Sequence, residues 1–143
     1  MFKRILATAL CVSCLGAASA SAADEYKKCL DANYMDDRAM TQCNEDEYNR
    51  ELLVIGNLIG NIAKTPYYAN WIAGQSGPKQ QATDMLSQWK IYVADFCDFY
   101  AYVFTQGEGT IYPLQYSQCQ VDEAKRFLER IRFVNKIYEQ NKG

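Results

Sequence analysis

The chain contains no histidine. That absence removes Ser-His-Asp and Cys-His nucleophilic machinery, imidazole metal ligands and the usual general base near neutral pH. Proline is scarce: Pro66, Pro78 and Pro113 are the only three, and all fall at the edges of periodic segments rather than inside them. Beyond the amino-terminal leader no apolar stretch is long and charge-free enough to cross a bilayer, which takes roughly 20 residues, so no stable membrane insertion is expected. No period-two alternation persists long enough to argue for a sheet. Basic charge is not in excess either: the formal net charge is −2, which makes the chain a poor partner for nucleic acid.

What is present begins with a leader. Lys3 and Arg4 precede an apolar run from Ile5 to Leu15 and a small-residue stretch from Gly16 to Ala23, the layout of a secretory signal peptide. Ala20, Ser21 and Ala22 form an A-x-A site. Cleavage is expected before Ala23, with a second site before Ser21. Residues 1–22 are then the signal peptide and 23–143 a single domain, its charge −4 once Lys3 and Arg4 are gone. Four cysteines remain: Cys29, Cys43, Cys97 and Cys119. An even count after a signal peptide predicts two disulfides in an oxidising compartment, periplasmic or outside the cell. Zinc sites usually draw on close C-x-x-C pairs, which these four lack, so neither a metal nor any other cofactor is expected.

Three stretches carry a helical period. Tyr48, Leu52, Ile55, Ile59 and Ile62 advance in steps of four and three, which predicts a helix from about Asp37 to Lys64, capped by Asp36 or Asp37 and stopped at Thr65-Pro66. Met85, Trp89, Tyr92, Phe96, Phe99 and Val103 keep the same alternation from about Pro78 to Phe104, with Gly107 just beyond the end. Tyr116, Ala124, Phe127, Ile131, Val134 and Tyr138 mark a third, from about Pro113 to Gln140, interrupted at Gln120. A short helix from Asp24 to about Ala32 precedes them, its aspartate serving as cap. Three long amphipathic helices and one short one predict an all-α fold, a small antiparallel helical bundle with two disulfides.

Cysteine positions sharpen the topology. Cys97 and Cys119 lie symmetrically about Glu108 in the Gly107-Glu108-Gly109 turn, so helices folding back there bring them level. Cys29 and Cys43 are likewise symmetric about Asp36. Of the three connectivities open to four cysteines, Cys29 with Cys43 and Cys97 with Cys119 is therefore expected.

Candidate chemistry is sparse. Asp95 and Asp98 lie three apart on one helix and could form an acid and base pair, but a glycosidase sets its carboxylates across a cleft that a narrow bundle does not offer. No catalytic residue is assigned. The turn bearing Glu108 and Thr110, with Tyr112 just after it, is braced by the expected disulfide; it reads either as a binding finger or as a turn its glycines merely permit. Tyr67, Tyr68 and Trp71 sit in a non-periodic connection and serve either a partner surface or the capping of the bundle's end. From Asp24 to Glu51 there are nine acidic residues and four basic; from Lys125 to Gly143 there are six basic and two acidic. The acidic half either steers a cationic partner or packs against the basic segment.

A secreted chain with Thr41-Gln42-Cys43 followed by Glu47-Tyr48, then Trp89 with Tyr92 and Cys97, then Gly107 to Thr110 and Pro113 before Cys119, resembles the LprI-like lysozyme-inhibitor domain family from Cys29 to about Arg130. It departs from that pattern at Leu86 and Val93-Ala94. The resemblance implies a helical, disulfide-bonded envelope protein that is not an enzyme and that binds lysozyme or another basic secreted protein by occluding its surface. The alternative is an envelope interaction or immunity-like protein with a different secreted partner.

Overall fold

The computed structural model describes residues 14–64, 78–107, 109 and 111–140. Four helices account for nearly all of these: α1 (Cys14–Ala32), α2 (Asp37–Ala63), α3 (Pro78–Thr105) and α4 (Ile111–Gln140). No strand occurs among the described residues, and the fold is the all-α bundle expected from periodicity. Asp36 caps α2 with an extended backbone, its carboxylate accepting from the Ala39 amide at 3.0 Å. The first helix departs from expectation. It does not start at Asp24 but runs back to Cys14, because the Ala-rich end of the leader is itself a strong helix former and carries the turn onward.

Successive helices run antiparallel, which leaves α2 and α4 parallel: Asn44 meets Ser117 near the start of both, and Glu47 meets Lys125 further along. These two helices, separated by α3 in sequence, make the most extensive interface. Ile55, Ile59 and Ala63 of α2 bury against Ala124, Leu128 and Ile131 of α4, with Ala82 of α3 completing the cluster. The stripe predicted on α2 therefore faces inward. On α4, Ala124 and Ile131 are buried and Phe127 half-buried, whereas Val134 is half exposed because the helix outruns the core; the side chain of Tyr138 lies outside the described residues.

The stripe on α3 faces the other way. Met85 is 43 % exposed, Tyr92 55 %, Phe99 65 % and Val103 58 %. The residues α3 buries are Ala82, Val93, Cys97 and Ala101, with Leu86 and Trp89 half-buried. Cys97 must meet Cys119, and that bond sets the rotation of the whole helix. Since neighbours on a helix are about 100° apart, facing Cys97 inward turns Phe96 to the flank and Phe99 nearly to the opposite side.

Both disulfides join the expected partners, Cys29 with Cys43 at a Cα separation of 5.9 Å and Cys97 with Cys119 at 5.5 Å. Their settings differ. Cys97 and Cys119 lie in an apolar cluster with Val93, packed by Tyr48, Trp89 and Tyr116. Cys29 is half-buried, and the hairpin it closes is held by polar contacts.

Candidate functional site

Two features outside the main core carry specific geometry. The first is the tip where α3 turns into α4. Gln106 adopts φ 57° and Gly107 φ 74°, and the Gly107 amide donates to the Tyr102 carbonyl at 3.0 Å, the left-handed cap that ends many helices. The Tyr102 ring covers Gly107 so closely that a Cβ there would sit 2.7 Å from its Cε2. On the far side of the turn the Tyr112 hydroxyl donates to the Asp98 carboxylate, one helix to the other. That bond to a negative acceptor pushes the Tyr112 phenol up to about 12, since ionising it would set two anions together. With Cys97–Cys119 behind it, the tip is tied at three points. Tyr102, Phe104 and Ile111 nevertheless remain exposed around it.

The second feature is a polar network under α1. The Tyr26 hydroxyl donates to Asn44 Oδ1 at 2.7 Å and lies 3.2 Å from Gln118 Oε1, and Asn44 Nδ2 donates to Ser117 Oγ at 3.0 Å. Asn44, Ser117 and Glu47 are buried. The Glu47 carboxylate is paired with Arg50 of its own helix and with Lys125 of α4 at 3.3 Å; Lys125 also lies 4.4 Å from the centre of the Tyr26 ring. Arg50 reaches on to Glu25 at 3.7 Å and to the Ala22 carbonyl at 3.1 Å. Burial raises the pKa of Tyr26. Between Glu47, Glu51, Lys125, Glu129 and Arg132 there is an open groove of about 280 Å³.

Of the residues singled out from sequence, the structure brings Asp98 and Tyr112 together at the tip and leaves Asp95 exposed on α3. Asp98 serves as an acceptor within that brace. Glu108 and Thr110, and Tyr67, Tyr68 and Trp71, lie outside the described residues. Glu47 with Lys125 shows the acidic and basic segments packing together at that point. Sequence reading missed the network of Tyr26, Asn44, Glu47 and Ser117. A signal was there for Asn44, which extends the α2 stripe one turn before Tyr48, so a polar residue occupies a core-facing position. Among the described residues no group of three or more His, Cys, Asp or Glu side chains is placed to hold a metal ion, and no helix is long and apolar enough to cross a membrane.

The fold and these two features define a disulfide-braced helical protein whose specific geometry lies in a hairpin tip and a buried polar latch. Comparison with protein-family models, curated proteins and solved structures finds no match to this chain.

Proposed function

We propose that this is an exported binding protein, periplasmic or secreted after loss of a signal peptide, which engages a protein partner with the α3–α4 tip and performs no chemistry of its own. The observation that carries the reading is the tip: three ties fix its shape, while Tyr102, Phe104 and Ile111 stay uncovered. A surface already rigid loses little entropy on docking, and aromatic side chains supply contact area at low entropic cost. The two disulfides support passage through an oxidising compartment.

The resemblance to LprI-like domains makes a lysozyme, or another basic cell-wall lytic enzyme, the partner to test first. An acidic domain would gain on-rate toward such a cationic surface, and salt would screen the gain. Purified oxidised protein is expected to abolish lysozyme activity stoichiometrically and less effectively at high salt, with Tyr102→Ala and Phe104→Ala weakening the effect at unchanged thermal stability. No inhibition at roughly tens of micromolar removes lysozyme as the partner. Capture of a different secreted protein from periplasmic extract, lost in the same two variants, would then favour an envelope interaction or immunity-like role.

A further inference from the structure

The outward stripe of α3 has no partner within the chain that the described residues reveal. Met85, Tyr92, Phe96, Phe99 and Val103, with Trp89 between the first two, advance in steps of four and three, the heptad spacing of a helix seam. Trp89 is drawn onto Phe127 of α4, their rings stacked 4.5 Å apart, and marks where the bundle's own core claims this helix. The rest stands free. Tyr92 stacks on Phe96 at 5.9 Å between centroids, so the exposed rings are already ordered along the helix.

The connection between α2 and α3 is too short to cover the far half of this surface, from Phe96 onward. Ala63 and Ala82 share one core cluster, so the end of α2 and the start of α3 lie at the same end of the bundle. Thirteen residues going out and back reach about 22 Å. Phe99 lies 21 residues past Pro78, about 32 Å along the helix axis, and Val103 lies further still.

We infer that a second copy of this chain covers the face, two α3 helices packing seam to seam in a two-fold dimer. The area suffices. Met85, Tyr92, Phe96, Phe99, Tyr100 and Val103 are each between 36 % and 65 % exposed. Side chains of about 200 Å² left half uncovered offer roughly 600 Å² per copy, and the roughly 1,200 Å² of the pair reaches the range of stable specific interfaces. The composition also fits: an aromatic centre with a polar rim, Asp95 on one flank and Gln118, Asp122 and Arg126 across the small groove beside Phe96 and Tyr100 on the other. A helix whose fully buried positions are all small, Ala82, Val93, Cys97 and Ala101, while a heptad seam faces outward is built as half of an interhelical contact. This inference is independent of what the tip binds.

Sedimentation equilibrium of exported protein with both disulfides formed tests it. The expected result is a dimer, with Phe99→Glu and Val103→Glu each weakening association at least about tenfold while leaving the helical circular dichroism intact. Phe133→Glu, exposed on α4, is expected to leave association unchanged. Hydroxyl-radical footprinting of the unsubstituted protein gives a readout free of folding effects: Tyr92, Phe96 and Phe99 become protected as concentration rises. A monomer persisting to about 100 µM overturns the inference. So does a dimer indifferent to both seam substitutions, or a monomer that instead binds phosphatidylcholine vesicles through the same residues.

Discussion

Two helices of this bundle carry nearly the same apolar spacing and put it to opposite use. On α2, Tyr48, Ile55, Ile59 and Ile62 face the core, with Ile55 wholly buried; on α3, Met85, Tyr92, Phe96, Phe99 and Val103 face out. The difference is the cysteine. Cys43 lies about 140° around α2 from Tyr48 and bonds to α1, a helix the stripe does not face, so closing its bridge and burying the stripe against α4 are compatible demands. Cys97 lies between Phe96 and Phe99 in sequence but well away from their stripe around the helix, so closing its bridge turns the aromatics outward. Periodicity states that a face exists; a covalent tie decides which face goes in.

The contrast can be broken most directly by truncating one residue from each stripe. Ile55→Ala is expected to lower stability by about 3–4 kcal/mol in denaturant titration, as for a fully buried isoleucine, and Phe99→Ala by no more than about 0.5 kcal/mol when measured dilute. Equal losses would mean that the exposed stripe packs within the molecule after all.

Next come the bridges. Removing Cys29–Cys43 or Cys97–Cys119 releases a loop of 14 or 22 residues and costs about 3 kcal/mol in the chain-entropy account. The two losses should be distributed differently. Without the first, hydrogen exchange is expected to accelerate in α1 alone, whereas losing the second also opens the apolar cluster around Val93. The polar latch is smaller: Glu47→Ala leaves Lys125 and Arg50 without their buried acceptor, and about 2 kcal/mol is expected because both cations keep access to water.

At the tip, Gln106 holds a left-handed conformation at φ 57°, so Gln106→Gly should stabilise the fold by about 0.5 kcal/mol, read as a small rise in thermal midpoint. Tyr112 offers the subtlest test. Its phenol is raised from 10.0 to about 12 in the fold, so its contribution to stability is complete below pH 10 and lost as the pH climbs from there through 12. Asp98→Ala should return the phenol toward its ordinary range in an ultraviolet titration.

Much of the architecture was legible from sequence. The apolar spacing of α2 and α4 marked the true core, Asp36 capped α2, and the symmetry of the cysteines about their turns named both bridges. The orientation of α3 was legible too, but only by weighing Cys97 above the larger side chains: Val93, Cys97 and Ala101 form a second, less hydrophobic stripe that close helix packing prefers. The start of α1 was misplaced because Asp24 has the chemistry of a cap without the turn that would require one. The tie between Tyr112 and Asp98 joins two helices and left no local signal in either. The reach of Tyr26 to Asn44 and Gln118 is of the same kind, set by how α1 lies across the bundle.

Each bridge joins cysteines that are consecutive along the chain from Cys29 onward, and neither loop encloses the other. A polypeptide threaded amino end first through a translocation pore would therefore present Cys43 when Cys29 is its only available mate, and Cys119 only after the earlier pair has closed. If the chain is exported as proposed, oxidation in order of emergence would yield this connectivity without reshuffling, and an oxidant rather than an isomerase would suffice.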